Sequence, residues 1–187
     1  MQFIVIAIVT IALSLCVFGL VERRGAMLVR LDGRVLLMAL IFGAVFLAAS
    51  CAGYGLGKWI LKSDLGGRQI FWIDLVSGLI LIGAGSRLLL RALSRDSFLE
   101  HRMETVDIRH DTLLCLKSCV PDLMAGVVCG LLEVSFGGLM AAVFCGDLAA
   151  AAGGYTFGRA NGSTLGRGCW AVSGALLCGL GVALQIA

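Results

Sequence analysis

The chain alternates long apolar runs with short charged ones. Apolar stretches occupy residues 1–21, 35–59, 70–90, 112–134, 139–157 and 169–187. Each is close to the roughly 20 residues that cross a hydrocarbon core of about 30 Å as a helix. Charged segments separate most of them, at residues 22–34, 62–69, 91–111 and 159–168, while Ser135-Phe136-Gly137-Gly138 makes an uncharged turn between the fourth and fifth. The first run has no positive leading region, and Glu22-Arg23-Arg24 follows it where a signal peptide would carry a small-residue cleavage site. It therefore reads as a membrane helix.

The fourth run carries charge where a membrane helix tolerates it least: Lys117 in its first turns, Pro121-Asp122 near its middle and Glu133 at its end. Stepping by threes and fours gathers Cys115, Cys119, Asp122, Gly126, Cys129 and Glu133 into an arc of roughly 80° on one helix face. An ionised Asp near the bilayer centre costs about 2.5–3.5 kcal/mol on insertion scales and by default marks a pathway or site.

Composition agrees with a membrane bundle. Of the 187 residues 59% are hydrophobic and 14% charged, against about a quarter charged in soluble domains. The expected fold is an all-α membrane protein, six transmembrane helices arranged as two inverted three-helix repeats. It forms a single transmembrane domain over residues 1–187, with repeat one at 1–90, a cytoplasmic linker at 91–111 and repeat two at 112–187. The net charge of +3 does not point to nucleic acid, because Lys and Arg cluster in the loops, where they set orientation. Loops one, three and five carry ten of them and loop two carries three. The odd loops are thus expected in the cytoplasm and both termini outside. Eight cysteines without a CxxC pair, all in or beside apolar spans, argue against a disulfide scaffold. His101 and His110 lie in the 91–111 segment, which reads as a solvated loop and not as a metal site.

The halves repeat. The stretch from Phe46 to Lys58 matches that from Asp147 to Arg159 at an offset of 101, and Gly78, Gly83 and Gly85 of the third run correspond to Gly174, Gly179 and Gly181 of the sixth. Three helices per copy is an odd number, so the second copy enters the membrane inverted, as in secondary transporters that bind near the midplane. Asp122 and Asp147 each lie about ten residues into a run, roughly 15 Å deep. Two carboxylates at one depth on adjacent helices are suited to share a cation or a proton, and Gly126, Gly153 and Gly154 are suited to close helix approach.

Several short stretches resemble the MntP family of bacterial manganese efflux pumps, six-helix members of the lysine-exporter superfamily. They are Leu40-Ile-Phe-Gly-Ala-Val45, Gly83-Ala-Gly-Ser-Arg87, Pro121-Asp-Leu-Met-Ala-Gly126 and the Gly-rich end from Gly174 to Gln185. The resemblance implies acidic residues for metal passage in the first, second and fourth helices. The fourth-helix acid falls on Asp122; the first falls on Cys16 and the second on Phe46, so the chain resembles a diverged member lacking two of the three. Asp147 is an additional acid, the repeat counterpart of Phe46. Mn²⁺ prefers oxygen ligands and thiolates favour softer ions, so Cys16, Cys119, Cys129 and Cys145 would tilt such a site toward Zn²⁺ or Cd²⁺.

The function expected from these readings is efflux of a divalent metal cation, manganese-like, across the bacterial cytoplasmic membrane. It is ion-gradient driven in the absence of a nucleotide-binding motif, non-enzymatic and without a permanently bound cofactor. The candidate metal ligands are Asp122, Asp147, Cys119 and Cys16. The partners are the lipid bilayer, the metal ion and, as a further candidate, a second copy in a homodimer, with no nucleic acid. Two rivals stand beside it. One is a transmembrane thiol-disulfide electron carrier using Cys16 and Cys119, whose places in the first and fourth helices resemble those of such carriers; of the prolines that flank the cysteines there, only Pro121 is present, which counts against it. The other is a transport-inactive accessory membrane protein.

Overall fold

The computed structural model describes residues 2–27, 34–62, 69–94, 112–113, 115–116, 118–162 and 164–186, with the side chains of residues 2, 27, 34–36 and 69–72 outside the description. Lys117, His101 and His110 lie outside the described residues. The described chain is all-helical: α1 (Gln2–Met27), α2 (Arg34–Lys62), α3 (Gln69–Leu93), α4 (Val120–Leu131), α5 (Phe136–Asn161) and α6 (Gly166–Ile186). Five of these helices, all but α4, are long and apolar enough to cross a membrane. Their outward faces carry Phe3, Leu79, Leu90 and Ile186, each more than 60% exposed. A soluble protein hides such a surface, whereas a lipid-facing one requires it. The chain is an integral membrane protein.

Several element boundaries differ from those read in the sequence. The fifth helix already begins at Phe136, so the turn before it lies at residues 132–135 and not at 135–138. The first helix runs on to Met27 and takes Glu22, Arg23 and Arg24 with it, and the third continues to Leu93, past Arg91. The fourth span is not one uninterrupted helix. The described residues between 112 and 118 are helical, the pattern stops at Cys119 (φ −78°, ψ 0°), and α4 starts at Val120. Pro121 is the cause, since it has no N–H for the i−4 carbonyl and its ring crowds the preceding turn. The new helix is locked at once by the Leu123 N–H, which donates to Cys119 O at 3.0 Å. Its far end is a Schellman closure: Val134 N–H donates to Cys129 O at 3.1 Å and Glu133 N–H to Gly130 O at 3.4 Å. Glu133 holds the left-handed position (φ 53°) that glycine usually fills. Lys58 from α2 meets it at 2.9 Å, and the hydroxyl of Tyr54, one turn earlier, donates to Val134 O at 2.8 Å.

Every close helix–helix approach among the described residues joins a helix of the first half to one of the second: α1 with α5 and α6, α2 with α4 and α5, α3 with α6 and α4, and α1 slightly with α4. Exchanging α1 with α4, α2 with α5 and α3 with α6 leaves that pattern unchanged, as an inverted repeat requires. The glycines fix its register. A Cβ on Gly53 or Gly57 would collide with the backbone of Leu123 or Val127, and one on Gly154 or Gly158 with that of Phe18 or Glu22. Leu123 therefore stands for Phe18 and Val127 for Glu22, both pairs 105 residues apart. In α3 and α6 the relation is reciprocal: a Cβ on Gly78 would lie 2.7 Å from Gly181 O, and one on Gly174 would lie 2.7 Å from Gly85 O. Lipid offers no hydrophobic drive between apolar helices, so this backbone proximity, with its dispersion contacts, is what holds them.

Substituting these glycines separates contact from propensity. Gly57→Val forces α2 off α4 and lowers stability by about 1–3 kcal/mol. Gly55→Ala, where an added Cβ meets nothing within 4 Å, leaves stability unchanged or raises it by up to about 1 kcal/mol. Thermal unfolding of the detergent-solubilised protein measures both.

Candidate functional site

The site is built from the polar groups that the bundle buries. Asp122 and Asp147 are each 1% exposed, and neither carboxylate has a hydrogen bond from another residue. Asp122 sits in the first turn of α4, where the free N–H groups and the helix dipole favour negative charge. Asp147 lies eleven residues after the Phe136 start of α5, near the middle of that helix. The two helices do not pack on each other; α1 and α2 lie against both, so "adjacent" describes them in sequence and not in space. The carboxylates are nevertheless within electrostatic range of one another.

α1 supplies the remaining wall. Cys16, 4% exposed, lies within range of both Asp122 and Asp147. Ser14 Oγ stands beside the Asp147 carboxylate without hydrogen-bond geometry. It also fills the space that a Cβ on Gly146 would take, so that glycine is what lets α1 reach the acid. Cys115, fully buried, also lies within range of both acids.

The sequence-derived ligand set is thus divided. Asp122, Asp147 and Cys16 come into one neighbourhood. Cys119, one turn before Asp122, is within range of that acid but not of Asp147; it is half-buried, and its thiol donates to Leu116 O at 2.9 Å. Glu133, assigned by periodicity to the same face, is exposed, because α4 has ended before it. All eight cysteines are free thiols. Among the described residues no three His, Cys, Asp or Glu side chains converge closely enough to hold a metal ion. The acids are also confined to one half: by the packing register, the first-half equivalents of Asp122 and Asp147 are Val17 and Phe46, both 1% exposed. Of the glycines expected to allow close approach, Gly126 (2.5 Å from Ser50 O for an added Cβ) and Gly154 (3.0 Å from Phe18 O) do so, while Gly153 meets the Phe18 ring at an ordinary 3.6 Å.

One buried acid was not legible as such in the sequence. Glu22, at the end of the first apolar run and followed by two arginines, reads as the beginning of a charged loop; it is 0% exposed. Its backbone packs on Gly154 and Gly158, and its Oε1 accepts the N–H of Leu165, the residue before α6, at 2.9 Å. It serves as a cap supplied from 143 residues away. Around it, Trp170 donates its indole N–H to Cys16 O at 3.2 Å, and Ser173 donates to Ala12 O at 2.6 Å, so α6 is fastened to α1 on the flank of the acid pair.

Comparisons with protein-family models, curated proteins and solved structures found no match.

Glu22 is testable as a structural group apart from the acid pair. Glu22→Gln keeps an acceptor for Leu165 and costs under about 1 kcal/mol, whereas Glu22→Ala orphans a buried N–H and costs about 1–3 kcal/mol. Unfolding of the purified variants distinguishes these outcomes.

Proposed function

We propose that the chain is a secondary carrier of divalent metal cations, with Asp122 and Asp147 as the charged ligands of the transported ion. The observation that supports this reading is the pair itself. Two buried carboxylates lie within electrostatic range inside the bundle; neither accepts a hydrogen bond of good geometry from another residue, and the Ser14 hydroxyl beside Asp147 is the nearest donor. Such groups are costly in lipid, and packing alone has no use for them. A passing cation supplies the missing partner, and side-chain movement is needed to bring a full coordination sphere together, as a carrier that binds and releases would do. The interrupted helix leading into Asp122 is of the kind that lines substrate sites in inverted-repeat carriers. The resemblance to manganese efflux pumps points the same way, with Cys16 in the place of one acid. Under the positive-inside rule the end of the bundle bearing Arg23, Arg24, Arg91 and Arg159 is cytoplasmic, and export is the direction that the resemblance to efflux pumps implies.

Flux into reconstituted vesicles tests the proposal with Mn²⁺, Zn²⁺ and Cd²⁺ offered separately. The wild type moves at least one of them, and Asp122→Asn or Asp147→Asn, which keeps volume and removes charge, lowers that flux about tenfold or more. Cys16→Ser shifts preference from Zn²⁺ and Cd²⁺ toward Mn²⁺, since an oxygen replaces a sulfur. Absence of flux for every metal in a folded wild-type protein would falsify the carrier reading.

A further inference from the structure

The indole of Trp170 is held in an arrangement that the fold alone does not require. It is 2% exposed, and two guanidinium groups lie over it: that of Arg23 at 4.1 Å and that of Arg91 at 4.6 Å from the ring centroid. Each cation–ring contact is favourable, but gathering two like charges on one ring opposes the gain. Arg91 is fixed in turn by Nη1 donating to Ser118 Oγ at 3.1 Å. The indole N–H holds Cys16 O, and Gly19 leaves room for the ring, since a Cβ there would lie 2.9 Å from Nε1. One side chain thus ties α1, α3, α6 and the helical residue before Cys119 together. It does so between the basic end of the bundle and the acid pair with which Cys16 shares a neighbourhood.

The inverted repeat supplies the comparison. The register that places Gly78 with Gly174 and Gly85 with Gly181 places Trp170 with Asp74. At the symmetry-related position toward the opposite end there is therefore a partly exposed carboxylate in place of a buried indole. Inverted repeats that adopt different local structures differ in which end of a shared pathway is closed.

We propose that Trp170, clamped by Arg23 and Arg91, is the seal that closes the basic end of the route to Asp122 and Asp147. This rests on the carrier reading. Opening that end requires the ring to leave its two arginines and release Cys16 O.

Cys16 lies just beneath the ring and reports on the seal directly. In a protein whose other seven cysteines are replaced, labelling of Cys16 by a membrane-impermeant maleimide is followed from each face of sealed vesicles. Separate proteins carrying Arg24→Cys or Glu133→Cys, each in a background free of other cysteines, identify the two faces. With Trp170 in place, Cys16 labels slowly from the face that labels Arg24→Cys; Trp170→Ala accelerates that labelling about tenfold or more. If Trp170→Ala does not assemble, Arg23→Ala and Arg91→Ala remove the clamp without emptying the core, and each must accelerate the same labelling. Unchanged labelling in the folded variants, or acceleration only from the face that labels Glu133→Cys, overturns the proposal. The two readings fail separately. Accelerated labelling in a protein that carries no metal leaves the seal and removes the carrier, and wild-type flux with labelling unmoved removes the seal and leaves the carrier.

Discussion

Close approach of backbones across the two halves is the constraint on which the rest of this molecule depends. In a solvent as apolar as the side chains, burying leucine against leucine gains little, and helices associate only where their surfaces fit within a few ångströms. Gly53 and Gly57 let α4 lie on α2, Gly154 and Gly158 let α1 lie on α5, and Gly78, Gly85, Gly174 and Gly181 let α3 and α6 lie on each other. These contacts set the rotation of every helix. They decide that Asp122 and Asp147 point into the bundle and that Ser14 and Cys16 stand beside them.

Within that near-symmetric frame the chemistry is one-sided. Val17 and Phe46 occupy the first-half positions equivalent to the two acids, and their burial gives that half a dry, tightly packed lining. Both carboxylates of the pair therefore come from α4 and α5, which do not touch each other and each pack on α1 and α2. A change in how the first half seats between those two helices alters the separation of the carboxylates, and with it their electrostatic interaction.

Much of the fold was legible in the sequence because lipid imposes long apolar runs and because the repeat conserves glycine spacing. Offsets of 101 for α2 and α5 and of 96 for α3 and α6 correspond to the contacts observed. The match of α1 to α4 was hidden, since apart from Gly25 and Gly130 little but the packing register relates them. By that register Val17 is the first-half counterpart of Asp122. Hydropathy also misjudged the end of α1: an apolar run followed by Glu22-Arg23-Arg24 looks like a helix leaving the membrane, and nothing local reveals that Glu22 turns inward to a backbone N–H in α6's approach. The break at Cys119 was foreshadowed by Pro121. The exposure of Glu133 was not, because periodicity extends a face past the point where the helix stops.

The absence of close approaches within either half among the described residues carries a consequence for how the protein is made. During synthesis the first three helices enter the bilayer with no tertiary partner among themselves, and all their seams wait on helices translated later. Until α4, α5 and α6 arrive, the glycine faces of α1, α2 and α3 are covered only by lipid. Glu22 is then a carboxylate without its backbone donor. Assembly is thus an interleaving of two incomplete sheaves in the plane of the membrane, and neither sheaf has a seam of its own until the other is there.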